Sequence, residues 1–323
     1  MKLQTKYLGL TLQNPVIVAS SPFTSSLSHI VEMEKAGAGA IVLKSIFEEQ
    51  ILDESAFLDR YHDYPEAADY LRGYLGNEYV QNHLSLVRQA KASVKIPVIA
   101  SINCMDESGW VDYAHKIEDA GADALELNIF LLPTSAGQTS AEIERHYLDI
   151  VSTVTKAVSI PVSVKLPRSF TNILNMARET YNRNAKGIVM FNRFIEPDID
   201  IDNIKVVTQD RLSSNVELRN TIRSLAMCAP VVSDLDIAVS TGVHSGADLV
   251  KVLLAGAKAA EICTAIYKNG PTVIEEMKSY LADWMDKHSF DAVDQFTRLL
   301  ANKTSEDYNK LYMRAQYMKM FQE

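Results

Sequence analysis

Short runs of β-branched and other apolar residues recur along the chain, and most are followed by a stretch whose apolar positions repeat at helical spacing. The runs are PVIVAS (15–20), AIVLKS (40–45), PVIASIN (97–103), ALELN (124–128), PVSVKLP (161–167), GIVMFN (187–192), LDIAVSTG (235–242) and AAEICTA (259–265). They are apolar throughout rather than alternating, as strands are when helices cover both faces of a parallel sheet. LSHIVEMEKAG, GWVDYAHKIEDAG, AEIERHYLDIVSTVTKAV and SGADLVKVLLAGA read as intervening helices that stop near Gly or Pro. Eight such units predict a closed (β/α)8 barrel rather than an open doubly wound sheet. No Pro/Gly-rich linker divides the chain, so one domain is expected over residues 1–323. From about residue 290 to 323 apolar residues, among them Tyr308, Leu311, Tyr312 and Met318, continue at helical spacing. They predict a terminal helical extension packed on the barrel, the alternative being a partner-binding helix.

Composition narrows the class. The chain has 323 residues, 47% hydrophobic and 23% charged, which is ordinary for a globular protein with a large core. Its net charge of -9 opposes binding to phosphate backbones, so nucleic acid is not an expected partner. No apolar run approaches the roughly 18 residues of a membrane span, and the opening MKLQTKYLGLTLQNP lacks a signal-peptide apolar segment, so a cytoplasmic location without membrane attachment is expected. Cys104, Cys228 and Cys263 are odd in number, widely spaced and without a CxxC pair. Neither a disulfide framework nor a zinc site is supported.

A barrel carries its chemistry at the strand C-termini. The polar residues there are Ser20 and Ser21, Lys44 and Ser45, Asn103 and Cys104, Glu126 and Asn128, Lys165, Asn192, Ser240 and Thr241, then Cys263 and Thr264. A lysine ending a buried strand needs a carboxylate, an anion or an electron-rich cofactor opposite it. Lys44 and Lys165 therefore either pair with a framework acid such as Glu126 or, together with the asparagines, mark a small-molecule site. After strands 7 and 8, STGVHSGADLV and CTAIYKNGP turn from strand to helix. Backbone N–H groups and the Ser240, Thr241 and Thr264 hydroxyls could cradle a phosphate there.

NPVIVAS, AGAGAIVLKS, ASIN, GADALELN, PVSVKL, MFN and TGVHSGADLVKVLLAGAKAAEICTAIYKNGP resemble, in order and spacing, the dihydroorotate dehydrogenase family, most closely its soluble cytosolic branch. The resemblance implies an FMN-binding (β/α)8 barrel that oxidises dihydroorotate to orotate in pyrimidine biosynthesis, and a homodimer. It implies that Lys165 faces the flavin ring oxygen and stabilises the anionic reduced flavin, with Ser20, Lys44 and Ser45 at the flavin and substrate side. Thr241, Gly242, Cys263 and Thr264 would hold the FMN phosphate. Asn128 and Asn192 match family asparagines that bind the pyrimidine, Asn128 lying near the flavin as well.

The sequence also departs from the family. Where relatives carry a Ser-Cys-Pro-Asn or Ser-Ser-Pro-Asn loop that removes the substrate proton, this chain reads IFLLPT, with Leu131 or Leu132 in the position of the base. Thr134 and Ser135 further along the loop, and Cys104 at the end of strand 3, are the substitute bases to consider, each with a plainer role as a loop, cap or small buried residue. A substrate asparagine motif expected after strand 2 is not evident in residues 59–83, and Arg193 replaces the serine after the strand 6 asparagine. A Gly-rich stretch reads LSSNVEL, the double glycine reads Thr241-Gly242, and the Gly-Thr of strand 8 reads Cys263-Thr264. His62, His83 and His244 are expected in loop or helix-start contexts, His244 beside the phosphate turn. Three readings follow: an FMN-dependent oxidoreductase with a changed substrate pocket, a flavin- or ligand-binding barrel that has lost dehydrogenase activity, and a barrel that no longer binds flavin.

Overall fold

The computed structural model describes residues 2–47, 65–103, 107–193, 197–208, 212–306, 308 and 312. Parallel strands form the barrel: β1 (Val16–Val18), β2 (Ala40–Val42), β3 (Val98–Asn103), β4 (Ala124–Asn128), β5 (Val162–Leu166), β6 (Gly187–Met190), β7 (Asp236–Ser240) and β8 (Ala259–Ile262). Each pairs with its neighbour in sequence, β8 pairs with β1, and the β2–β3 pairing completes the ring. All eight expected runs are therefore strands of one closed (β/α)8 barrel. The short strand Ile46–Phe47 extends pairing at the C-terminal end of β3.

Helices α1 (Leu27–Lys35), α2 (Pro65–Ser93), α3 (Glu107–Asp119), α4 (Ser140–Ala157), α5 (Ile173–Asn182), α6 (Asn215–Cys228), α7 (Gly246–Ala255), α8 (Thr264–Asn269) and α9 (Val273–Lys287) follow along the chain. Four of them start on a side-chain cap, Ser26, Thr139, Asn172 and Ser245. Thr139 accepts from the Glu142 N–H and Glu142 returns the bond to Thr139, while Ser245 accepts from the Asp248 N–H. The outer core lies between these helices and the outward faces of the strands, where Ile41, Val164, Ile188, Val239 and Ile262 are buried. Among the described residues no helix is long and apolar enough to cross a membrane.

A second, smaller core fills the barrel axis. An antiparallel hairpin of Thr5–Tyr7 and Leu10–Leu12 turns through Leu8 and Gly9, both at positive φ, as a tight two-residue connection requires. Tyr7, Leu8 and Leu12 pack against Ala40, Ala124, Ala238 and Ala259 of the barrel wall. Alanines on four of the eight strands leave the room that the hairpin side chains fill. The Leu8 N–H donates to Asp236 Oδ2 at 2.8 Å, fixing this plug to β7.

Two features depart from the sequence reading. Over the first part of the extension expected from about residue 290 the chain forms 3-10 turns, Val293–Gln295 and Leu299–Ala301, and helical backbone is taken up at Glu306, Tyr308 and Tyr312. Phe290 and Phe296 turn inward onto Trp284 of α9, and Arg298 takes a left-handed backbone at φ 70°, which a continuing helix excludes. Tyr308 is buried and Tyr312 half-buried, whereas Leu311 and Met318 lie outside the described residues. An antiparallel hairpin, Pro197–Asp200 with Lys205–Thr208, also projects after β6, and nothing in the helical and strand periodicities announces it.

Candidate active site

Strand register builds the floor of the site. Asn128 lies opposite Lys165, Glu126 opposite both Ser101 and Ser163, and Glu261 opposite Ser240. The period of two then puts Glu126, Asn128, Lys165 and Glu261 on the inner face, in the upper layers of the barrel. Lys165 Nζ donates to Glu261 Oε2 at 2.7 Å and to Glu126 Oε1 at 3.4 Å, with the three side chains 9%, 0% and 1% exposed. Burial opposes the lysine's charge, but the two carboxylates outweigh it and hold the ammonium above its ordinary value. Burial and the neighbouring Glu261 push the Glu126 carboxyl well above the usual carboxylate range. The framework-acid alternative for Lys165 thus holds for Glu126, yet the nearer partner is Glu261, which strand patterning had left among the apolar run AAEICTA. An acid at an inward position of a buried strand was the signal available.

Two adjoining clefts open above this floor. The broader, about 690 Å³, is lined by Ser20, Ser21, Pro22, Lys44, Ser45, Glu126, Asn128, Lys165, Asn192, Leu212, Cys263, Thr264 and Tyr267. The narrower, about 250 Å³, shares Ser20, Lys165, Asn192, Cys263 and Thr264 and adds Arg193, Ser213, Ser240, Thr241, Gly242 and Glu261. Twelve positions singled out from strand ends and motif matches, Ser20, Lys44, Ser45, Asn128, Lys165, Asn192, Arg193, Ser240, Thr241, Gly242, Cys263 and Thr264, are thereby brought to one mouth. Ser45 accepts and donates within a hydroxyl ladder, 3.1 Å from Ser20 Oγ and 2.8 Å from Ser101 Oγ. Asn192 Nδ2 donates to Asn128 Oδ1 at 2.6 Å, so the two amides orient each other. Arg193 pairs with Glu217 of α6 at 3.3 Å. Burial lowers the Lys44 ammonium from its ordinary value.

The end of the narrow cleft is organised by a residue the sequence reading passed over. Ser213 Oγ accepts from the Gly242 N–H at 3.4 Å, lies 3.0 Å from Thr264 Oγ1 and lies 2.8 Å from His244 Nε2. His244 Nδ1 is 3.1 Å from Asn215 Oδ1, while Asn215 Nδ2 donates to Asp248 Oδ2 at 2.8 Å. Since the Asn215 amide nitrogen already serves Asp248, its oxygen accepts from His244 Nδ1–H. Gly242 has φ 86°, and a Cβ there would stand 2.8 Å from the Leu218 backbone nitrogen at the start of α6. Both backbone conformation and close helix approach therefore require glycine.

The IFLLPT loop lies elsewhere. Ile129 is fully buried, Leu131 is half-buried against the outer core, and Leu132 is 65% exposed. Tyr147 of α4 clamps the loop, accepting from the Leu131 N–H at 3.2 Å and donating to the Ile129 carbonyl at 3.3 Å. None of residues 130–132 lines either cleft, so an apolar lid over the mouth, the simplest role for such a loop, is not what they form. Thr134 and Ser135 are exposed and also outside the cleft lining, Ser135 Oγ accepting from the Gly137 N–H. Cys104 and His62 lie outside the described residues. His83, expected in a loop or at a helix start, sits inside α2, where its Nε2 donates to the Lys44 carbonyl at 3.1 Å.

The family model described as Dihydroorotate dehydrogenase matches residues 2–285. The chain belongs to the dihydroorotate dehydrogenase family. Similar curated relatives bear the name dihydroorotate dehydrogenase B (NAD(+)), catalytic subunit. That of Bacillus cytotoxicus is 29% identical over 297 residues, covering 87% of this chain and 92% of the relative. That of Thermoplasma acidophilum is 27% identical over 302 residues, covering 90% and 96%, and that of Methanocaldococcus jannaschii 27% over 301 residues, covering 87% and 94%. The match thus takes in the whole barrel, including every strand end that lines the clefts.

Proposed function

We propose that this member of the family is an FMN-dependent oxidoreductase acting on a CH–CH bond of a small molecule, of the type its relatives' name describes for dihydroorotate, with a substrate side that has diverged. The observation that carries the reading is Lys165, a buried cation at the shared floor of two clefts whose far end is a glycine turn ringed by hydroxyls. The residues fit the cofactor. A cleft of about 690 Å³ suits a planar ring system, and Lys165, Lys44 and Asn128 offer it donors. The narrow arm, with Ser213, Thr241, Gly242 and Thr264, offers hydroxyl and backbone groups to a phosphate. FMN bound there would supply hydride acceptance. Ser20 and Ser45 position the strand ends around it, the Asn128–Asn192 pair orients amides toward the substrate side, and Lys44 or Arg193 meets a substrate carboxylate. A flavin-binding barrel without dehydrogenase activity is the second reading, favoured by the absence of residues 130–132 from the cleft wall.

The test is flavin uptake. Purified protein, or protein incubated with FMN, is expected to absorb in the visible region and to quench flavin fluorescence stoichiometrically. Gly242→Val is expected to abolish that uptake and to lose roughly 1–3 kcal/mol of stability, because the positive φ strains any branched residue. Wild-type protein that stays colourless with added FMN overturns the reading. Normal uptake by a folded Gly242→Val protein moves the phosphate site away from this turn.

Protonation of His244 adds a second expectation. Burial first, and Lys268 next, lower the imidazole from its ordinary value, against the opposing pull of Asp248 and Glu217. The neutral ring is therefore favoured in the free protein, and its stabilisation is present above the ordinary histidine value and lost as pH falls through the lowered one. A phosphate in the narrow cleft favours the charged ring, so FMN affinity is expected to rise as pH falls from about 7 to 5. His244→Gln should flatten that rise, and riboflavin, which lacks the phosphate, should not show it. A steep pH profile retained in the variant would remove His244 from the phosphate end.

A further inference from the structure

Three charged side chains at the cleft floor do not balance as they stand. Lys165 carries one positive charge, and Glu126 and Glu261 would together carry two negative ones, in a space where no side chain is more than 9% exposed. An uncompensated charge in such a place is strongly unfavourable. The hydrogen bonds show where the imbalance lies: Lys165 serves Glu261 Oε2 and Glu126 Oε1, while Glu261 Oε1 is buried and has no donor. Both carboxylates reach the same ammonium, which gathers Glu126 and Glu261 about one point. A proton held between the two glutamates would supply the missing donor and remove the surplus charge in one step.

Lys44 lines the same broad cleft, but Lys165 is the cation bonded to these carboxylates among the described residues. Below the cluster is the Tyr7 phenol of the N-terminal hairpin, fully buried and itself held in its neutral form by burial and by both carboxylates. On the strands beside it stand the uncharged Ser101 and Ser163 hydroxyls, and the Asp236 carboxylate lies further down toward the hairpin. Above it the Cys263 thiol is kept neutral by burial. No second cation from β4, β5, β8 or the hairpin pairs with either glutamate among the described residues.

We propose that Glu126 and Glu261 hold one proton between them, so that the cluster with Lys165 is electrically neutral and offers the cleft hydrogen-bond donors without a net charge. This goes beyond the flavin reading and rests on it only for the redox arm of the test. Lys165 is then a lysine whose charge is matched within the protein, and Glu126, which lines the broad cleft, is a carboxylic acid available at the floor. Glu261 is the positioning residue that fixes the lysine. The arrangement differs from a lone lysine facing a cofactor: whatever binds above meets an ion pair and an acid, and its preference for an anionic form is correspondingly weaker.

Infrared spectroscopy of the flavin-free protein tests the proton directly. A carbonyl stretch of a buried protonated carboxylic acid is expected at neutral pH in the wild type and lost in both Glu126→Gln and Glu261→Gln, since a single remaining carboxylate ionises against Lys165. Absence of that band in the wild type overturns the proposal whether or not the protein binds FMN. In the FMN-loaded protein the midpoint potential supplies an independent pattern. Each single variant keeps a neutral pair and should leave the potential nearly unchanged. The double variant leaves Lys165 alone and should favour reduced over oxidised flavin by tenfold or more, about 30 mV or more for a two-electron couple. Two substantial, additive single shifts would mean that both carboxylates are ionised in the wild type, and would equally overturn it.

Discussion

Lys165→Ala is expected to destabilise the protein by about 3–5 kcal/mol, the range for removing one partner of a buried ionic group. The substitution deletes the donor of the 2.7 Å and 3.4 Å bonds to Glu261 and Glu126, and leaves both carboxylates inside the barrel without a cation. Urea unfolding at pH 7 should register the loss. The pH dependence has a definite sign. Glu126 already sits well above its ordinary value of 4.5, and without the lysine both acids must be protonated to stay buried. A carboxyl raised on folding contributes stability that is full below its ordinary value and disappears as pH rises through the raised one. The deficit of Lys165→Ala should therefore grow from acid toward neutral pH and shrink again on acidification. Adding Glu126→Gln and Glu261→Gln removes the ionisable pair and should recover most of the loss at pH 7. Recovery by the double glutamine change would assign the damage to stranded charge and not to lost packing. A deficit below about 1 kcal/mol, the range of solvent-exposed pairs, would show that water reaches the cluster.

This cluster also marks the boundary of what strand patterning could reveal. All eight barrel strands stood out because each is a short, mainly apolar run bounded by turn residues, and ALELN coincides with β4 (Ala124–Asn128) at both ends. Polar residues at strand ends were equally visible, since an Asn or Lys closing an apolar run is conspicuous. Partnership was not. Whether Lys165 meets Glu126 or Glu261 depends on register across the barrel, and Glu261 lies 96 residues away in the chain. The same limit hid Ser213, whose role comes from Thr264 and His244 across 51 and 31 residues. Nor does periodicity distinguish a helix from the turns at Val293–Gln295 and Leu299–Ala301. There Phe290 and Phe296 pack by stacking and edge contacts with Trp284. The hairpin plug is a further instance: Tyr7 reads as an aromatic near the N-terminus, and only the alanines lining the axis explain why it fits.

Wild-type protein loaded with FMN is expected to oxidise dihydroorotate very slowly or not detectably, while dithionite still bleaches its flavin. A positioned general base contributes roughly 10²–10⁴-fold to proton transfer, and neither Leu131 nor Leu132, one of which the sequence resemblance puts in the position of the base, can supply one. Position strengthens the argument. Leu131 is turned toward the outer core with its N–H held by Tyr147, and Leu132 points to solvent at 65% exposure. Leu131→Cys would place its thiol in an apolar crevice, which favours the unreactive protonated form, and Leu132→Cys would place it away from the cleft. Each should recover little activity, because restoring one member of a cooperating set does not restore the set. Tyr147→Phe removes the clamp on the loop, and with Leu131→Cys it should gain more than Leu131→Cys alone if loop placement is the obstacle. Stopped-flow mixing of the oxidised protein with dihydroorotate checks all of these. Rapid bleaching in the wild type would overturn the expectation and direct attention to protic groups on the broad cleft itself, Ser20, Ser21, Cys263 and Tyr267. Of these, Ser21 has a buried hydroxyl set beside the Cys263 thiol. A hydroxyl in that state can accept a proton only if a neighbouring base or cation assists it, so rapid turnover would require Ser21 to be coupled to another ionisable group at the mouth, and Ser21→Ala would then abolish it.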